Sequence, residues 1–191
     1  MPAFITAVTA KAAGFIVLTL FSAFFILFPD NSIQDQFAHF ASVEFNTTFQ
    51  IFAHLLLFYN AWRWRSWQPV LVDLAVSLPL NITLQLVKHF LTADFAIRPS
   101  GGFGGFPSGH ASATFSLAFL LSIYYPRLWT VWYVAAGLVT WSRVQTNAHT
   151  ELQIAAGMIF GSILAYICVL WLGPAKNKKL SEKQGDGSSA S

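Results

Sequence analysis

The sequence predicts an all-α membrane protein, a bundle of six transmembrane helices with both termini in the cytoplasm, and three observations carry that expectation. Of the 191 residues 55% are hydrophobic and only 10% are charged, and the mean hydropathy is +0.54; a soluble domain carries about a quarter charged residues. The apolar residues gather in segments near the length that crosses a bilayer. Most of the basic residues fall on one side of those segments, as the positive-inside rule requires of cytoplasmic loops. With 19 Phe and 7 Trp, the chain could not hide its aromatic surface in one soluble core, so the bilayer must be its main solvent.

The spans are expected at about 12–28, 49–64, 69–87, 109–125, 128–144 and 153–172. The first follows Lys11 and ends at Phe28, Pro29 and Asp30, which offer no small-residue cleavage site, so it is expected to stay as a helix. The stretch before the second span holds Asp30, Asp35, His39 and Glu44 and reads as an amphipathic segment lying on the membrane. In the third, Ser77, Asn81, Gln85 and Lys88 share a helical face, an expected polar stripe inside the bundle. The fourth begins near Ser108, where unpaired amides and a positive dipole end would favour an anion. The last carries His149, Gln153, Gly157, Gly161 and Ala165 at successive turns, a small-residue seam that invites close helix packing. Residues 1–173 then form one domain, and the polar stretch 174–191 reads as a disordered cytoplasmic tail.

Charge also excludes some functions. The formal net charge is only +3, without a basic stretch interleaved with aromatics, so nucleic acid is not an expected partner. The single cysteine, Cys168, cannot form an intrachain disulfide and sits in an apolar run, where it reads as packing. In the six-span arrangement Lys11, Arg63, Arg65, Arg127, Lys176, Lys178, Lys179 and Lys183 share the cytoplasmic side. Lys88, Arg98 and Arg143 lie on the opposite side, where the rule disfavours them. Three cations on the wrong face, near two histidines, read as a binding site for an anion such as phosphate.

Those cations belong to a pattern: Lys88, Arg98-Pro99, then Phe106-Pro107-Ser108-Gly109-His110, then Ser142-Arg143 followed by His149. From Lys88 to about Gly161 the chain resembles the membrane branch of the phosphatidic acid phosphatase type 2 superfamily, whose members carry these elements in this order. The resemblance implies a lipid phosphatase without metal or other cofactor. By position, Lys88, Arg98 and Arg143 would hold phosphate oxygens with Ser108 and the Gly109 amide. His149 would be the nucleophile that forms a phosphohistidine, and His110 would protonate the leaving group and then activate water. Such roles suit a reaction that spreads negative charge over equatorial oxygens while a nucleophile attacks in line.

The sequence departs from the family twice. Lys88 and Arg98 are separated by more residues than usual, which a longer turn would absorb. Gln153 stands where the family has an aspartate four residues after the nucleophile; it shares a helical face with His149 and could orient the imidazole, or it could form a capping box with Thr150. Glu151 points to the opposite side of a continuous helix. His54, Asn60 and Asp73 read as interhelical or interfacial partners, His89 as interfacial, and a metal site at His39 is only weakly signalled. The glycines around Phe103 suggest a pliable loop that, with Phe103 and Phe106, admits the lipid headgroup.

The expected protein is therefore a phosphohydrolase for a lipid phosphate or diphosphate in a bacterial-type inner membrane, its site facing the periplasm or exterior. Phosphatidate, phosphatidylglycerol phosphate, polyprenyl diphosphate and lipid A phosphates all fit. Two alternatives stand beside it: a lipid phosphotransferase using the same phosphohistidine, and an impaired lipid-binding scaffold.

Overall fold

The computed structural model describes residues 32–172, so Lys11, the span expected at 12–28 and the tail at 174–191 lie outside the described residues. The described residues are mostly helical and include no strand. Helix α1 spans Ser32–Phe40 and runs through a π-helical turn, Ala41–Phe45, into α2, Asn46–Arg63. The remaining long helices are α3, Gln68–Phe90; α4, Gly109–Tyr124; α5, Trp129–Gln145; and α6, Glu151–Leu172. Short 3-10 turns, Asp94–Ala96 and Pro126–Leu128, occupy two of the connections. Five helices thus coincide, within three residues at each end, with the segments expected from the apolar runs.

Helix α4 is the centre of the bundle and packs against α6, α5, α2 and α3. Its sequence is apolar nearly all round, which suits a helix covered on every side; Leu117, Leu120 and Leu121 are fully or almost fully buried against Phe49, Leu57, Val72 and Val76. The outer helices show the reverse of a soluble protein. Ile51, Leu55, Leu71, Leu78, Ile159 and Ile163 are exposed, a continuous apolar surface that hydrocarbon, not water, would solvate. Two helices, Gln68–Phe90 and Glu151–Leu172, are each long and apolar enough to cross a membrane.

The closest packing is the expected seam of α6 on α4. A Cβ added at Gly157 would lie 2.6 Å from the Ser108 carbonyl oxygen, and one at Gly161 would lie 2.8 Å from the Ser112 carbonyl carbon. Only glycine lets the two backbones meet there. The serine and threonine hydroxyls along α4 turn back onto their own helix, as in Ser112 Oγ to Ser108 O at 2.8 Å and Thr114 Oγ1 to His110 O at 2.8 Å. That satisfies them without water.

The two ends of the bundle differ in chemistry. At one end Trp62, Trp64, Trp67 and Trp171 are exposed beside Arg63, Arg65 and Arg127, and Gln68 Nε2 donates to the Leu172 carbonyl at 2.6 Å. Aromatic and basic residues of this kind mark a membrane–water boundary. Lys88, Arg98 and Arg143 lie at the other end, at the last turns of α3 and α5 and in the loop between α3 and α4.

Several expectations change. The stretch read as a separate amphipathic segment on the membrane is helical, but it is a continuous extension of α2, its Phe40 and Asn46 junctions both in the helical region. One face of it, Gln34, Ala38, Ala41 and Ser42, is buried, and α1 packs on α5. The polar stripe on α3 does not face inward: Asn81 and Gln85 are exposed. The inward stripe is Val72, Val76, Leu80 and Leu84, and Lys88 follows Leu84 by four residues on that same face. His54 and Asp73 do pair between helices, at 2.7 Å from Nδ1 to Oδ2, and Ser77 Oγ donates to the other carboxylate oxygen at 3.2 Å.

The seam gives a direct test of this packing. Gly161→Ala should destabilise the protein by about 1–3 kcal/mol through overpacking. Gly137→Ala, where an added Cβ meets nothing within 4 Å, should be neutral or slightly stabilising. Thermal melts of both variants in one detergent check the difference.

Candidate active site

Four elements converge at the cationic end. The last turn of α3 supplies Lys88, whose Nζ would be 3.1 Å from a Cβ at Gly109, so the ammonium sits directly over the start of α4. The loop 91–108 supplies Arg98. The extra residues between Lys88 and Arg98 are taken up by an extended Leu91 and the 3-10 turn Asp94–Ala96, which folds the chain back on itself. Arg98 N donates to Gly102 O at 2.9 Å, Gly101 N to Arg98 O at 2.9 Å and Gly105 N to Ala96 O at 2.8 Å.

The glycines of this loop, expected to make it pliable, occupy backbone conformations that its turns require. Gly101, Gly102 and Gly104 adopt φ values of +96°, +80° and +85°, a region closed to most side chains, and the Arg98 guanidinium donates back to Gly104 O at 3.3 Å. Glycine is required here for tight turns. Phe106 packs edge-to-face on Phe95, with centroids 5.0 Å apart, so it belongs to the loop's own core. Phe103 is exposed.

The first turn of α4 supplies Ser108, Gly109 and His110. Ser108 is fully buried and caps the helix, its Oγ accepting from Ala111 N at 3.5 Å. Its own amide donates to Gln153 O at 3.0 Å, which fixes the start of α4 against α6. The Gly109 and His110 amides are first-turn donors with no acceptor inside their helix, and they open toward the site.

The end of α5 supplies Arg143. Its Nη1 donates to Ser42 Oγ in the π-helical turn, and its backbone carbonyl accepts from both Ala148 N at 3.0 Å and His149 N at 3.1 Å. One residue therefore presents a guanidinium to the site and ties down the turn that delivers His149. Asn147 occupies the left-handed region within that turn, at φ +52°, a conformation asparagine tolerates.

His149 is buried, and its Nδ1 lies 3.0 Å from Gly105 O and 3.2 Å from Gln153 Oε1. The Gln153 amide cannot be turned the other way, because its Nε2 faces two carbonyls, Phe95 O at 3.0 Å and Ile97 O at 2.8 Å. Both neighbours of Nδ1 are then acceptors. Nδ1 carries the proton and Nε2 keeps the lone pair. Gln153 is also the capping partner of Thr150: Thr150 N donates to Gln153 Oε1 at 3.2 Å, and Gln153 N to Thr150 Oγ1 at 3.3 Å. Gln153 thus makes both contacts considered from the sequence, one to the His149 imidazole and one within a capping box with Thr150.

Electrostatically the site is a pocket of positive charge. Lys88, Arg98 and Arg143 all bear on His110. Among the described residues the one ion pair is His54 with Asp73, so no carboxylate pairs with these cations. The Nε atoms of Arg98 and Arg143 are buried with no hydrogen-bond partner, a state that costs about 1–3 kcal/mol or more per group unless an acceptor arrives. Burial pushes the His149 imidazole down to about 4, with Arg143 and Arg98 acting in the same direction against the hydrogen bonds to Gln153 and Gly105. Its neutral, nucleophilic form therefore dominates above that pH.

All eight residues singled out from the sequence, Lys88, Arg98, Ser108, Gly109, His110, Arg143, His149 and Gln153, come together here. Glu151 and His89 point away and are exposed. Among the described residues no three His, Cys, Asp or Glu side chains gather to hold a metal, and His39 is exposed. Two participants escaped the sequence reading. Ser42 lies 101 positions from Arg143, with no motif to connect them. Gly105 was visible only as one glycine among several, yet a Cβ there would lie 2.7 Å from the Gln153 amide.

The chain is similar to several known proteins. Residues 13–176 match the model of the PAP2 superfamily. The chain is 35% identical over 69 residues to the bacitracin transport permease protein BcrC of Bacillus licheniformis, covering 36% of this chain and 34% of that protein. It is 27% identical over 122 residues to the undecaprenyl-diphosphatase of Sulfolobus acidocaldarius, covering 58% of this chain and 59% of that one. The chain thus spans between a third and three-fifths of these relatives. A solved structure, the first transmembrane PAP2 type phosphatidylglycerolphosphate phosphatase from Bacillus subtilis, shares the fold with a TM-score of 0.57 at 17% identity, over 92% of this chain and 88% of that one.

Two outcomes follow. Ser42→Ala should free the Arg143 guanidinium and raise KM for a phosphate substrate by about tenfold, the worth of one charge-assisted hydrogen bond, as steady-state kinetics would record. The limb of kcat/KM set by His149 should fall near pH 4, because a lowered base pKa keeps the imidazole neutral down to that value. A pH profile corrected for substrate ionisation, with this limb near 6.5 instead, would show that His149 is not held neutral.

Proposed function

The chain belongs to the PAP2 superfamily, and from that premise we propose that it is a lipid phosphatase acting through a histidine nucleophile. The observation that carries the proposal is the His149 imidazole held with Nδ1–H toward two acceptors and Nε2 free, beside two arginines whose Nε donors lack partners.

The reaction follows from the placement. A phosphate group seats among Lys88, Arg98, Arg143 and the first-turn amides of α4, which neutralise its oxygens and the charge that develops on them. His149 Nε2 attacks phosphorus; the Nε2–P bond forms as the bond from phosphorus to the lipid oxygen breaks. His110, in the first turn of α4, gives that oxygen a proton. His110 then takes a proton from water, the hydroxide attacks phosphorus, and the Nε2–P bond breaks to release phosphate. The three cations supply the charge compensation that a metal provides elsewhere, so the proposed activity is metal-independent.

A polyprenyl diphosphate is the first substrate to test, since the undecaprenyl-diphosphatase is matched in sequence over the longer stretch; phosphatidylglycerol phosphate and phosphatidate come next. The proposed setting is a cell membrane crossed six times, with both termini cytoplasmic and the site on the outer face, in accord with the basic and aromatic residues at the opposite end.

Phosphate release by full-length protein in detergent, against a panel of lipid phosphates and diphosphates, tests the proposal. His149→Ala should lower turnover at least about a thousandfold and abolish an acid-labile phosphoryl label on the protein. Chelator should change the rate by less than twofold. Turnover that survives His149→Ala would remove the nucleophile; label passing to a second lipid hydroxyl in place of water would make the enzyme a phosphotransferase.

A further inference from the structure

Gln153 does more than orient the nucleophile. It is fully buried, and all four of its side-chain hydrogen-bonding capacities are used: Oε1 accepts from His149 Nδ1 and Thr150 N, and Nε2 donates to Phe95 O and Ile97 O. Phe95 and Ile97 flank Ala96, whose carbonyl holds Gly105 N, and Ile97 is bonded directly to Arg98. Gly105 in turn offers its carbonyl to His149 and has no room for a side chain against the Gln153 amide. The loop that presents Arg98 is therefore fastened to Gln153 at the start of α6, just after the turn that presents His149, and the fastener is the amide NH2.

We infer that Gln153 is a positioning residue for Arg98 as well as for His149, coupling phosphate binding to the nucleophile, and that this position requires an amide and not a carboxylate. A carboxylate has no hydrogen to give. Glutamate, of equal length, would place an oxygen where Nε2 now lies 2.8–3.0 Å from two carbonyl oxygens, and even protonated it could serve only one of them. Aspartate is a methylene shorter; on reaching Nδ1 it would leave both carbonyls buried and unpaired. Restoring the aspartate of the family should thus impair this protein instead of improving it.

The inference rests on reading His149 as the nucleophile and Arg98 as a phosphate ligand, so the experiment separates the two ideas. Full-length wild type, Gln153→Glu, Gln153→Asp, Arg98→Ala and the double variant Arg98→Ala/Gln153→Glu are compared on a polyprenyl diphosphate and on phosphatidate. Gln153→Glu and Gln153→Asp should each raise KM by at least about tenfold. In the Arg98→Ala background Gln153→Glu should raise KM less than about threefold, because the group it positions is gone. Additive effects, or a higher kcat/KM in Gln153→Asp, would overturn the coupling.

Amide hydrogen exchange supplies a readout that needs no turnover. In Gln153→Glu the amides of Arg98 and Gly105 should exchange at least about tenfold faster while those beyond Gly157 on α6 are unchanged; unchanged exchange at Arg98 and Gly105 would also overturn it. If the acidic variants do not fold, Gln153→Met, similar in length and without charge, is read in the same two ways. Faster loop exchange in a protein whose wild type releases phosphate from no lipid would remove the phosphatase reading and leave the loop coupling standing.

Discussion

Three cations gathered without a carboxylate repel one another, and the rest of the site exists to hold them together. At the dielectric typical near a protein surface, each close pair of unit charges costs on the order of a few kcal/mol, and nothing among the described residues offsets it by pairing. The opposing forces are mechanical. Lys88 is carried on a helix whose other inward residues are buried aliphatics, Arg98 is turned back on its own loop, and Arg143 is held by a serine from a distant helix. Held this way, the cations have a deficit that an arriving anion, in the proposed reaction a phosphate, would remove, and repulsion of this kind is tolerable in a binding site and not in a structural core.

Hydrophobic packing supplies that rigidity in an unusual way. Since the exterior is itself apolar, burying aliphatic surface does little to bring helices together in a bilayer, and close van der Waals approach must do the work. The α4–α6 contact meets this need through Gly157 and Gly161, and the serines and threonines of α4 avoid competing by bonding to their own backbone. The amides at the start of α4 are then placed by its neighbour, through the bond from Ser108 N to Gln153 O.

Much of this was legible in the sequence, for reasons that differ by element. The long helices could be read because a bilayer imposes length and apolarity together; the glycine seam because one small residue per turn has few other meanings. The three cations drew notice because, in the expected six-span arrangement, they fall on the side the positive-inside rule disfavours, and the family motifs added His110 and His149; the structure brings all five together. What failed is equally instructive. Asn81 and Gln85 share a face with Ser77, but helical spacing alone does not say which face is inward, and the aliphatic stripe through Val76, Leu80 and Leu84 decided it. The glycines of the 101–105 loop carry no mark distinguishing freedom from obligatory positive φ. Ser42 had no signal at all, since its partner is set by a π-helical turn that re-aims one hydroxyl. Gln153 looked like a lost carboxylate until its two carbonyl partners showed what the amide gains.

Because α4 and α6 touch backbone to backbone, the start of α4, which carries His110, and the start of α6, which carries Gln153, form in effect one plate, and His149 is held against it by the turn from α5 and by the Gln153 amide. The opposite wall is assembled from other material: the 91–106 loop, the end of α3, and the helix that brings Ser42. In the proposed reaction the first wall would fix the chemistry and the second would meet the lipid. Under the proposed function, a change in loop length or in the residues around Phe103 would alter what the second wall presents without moving the packed starts of α4 and α6.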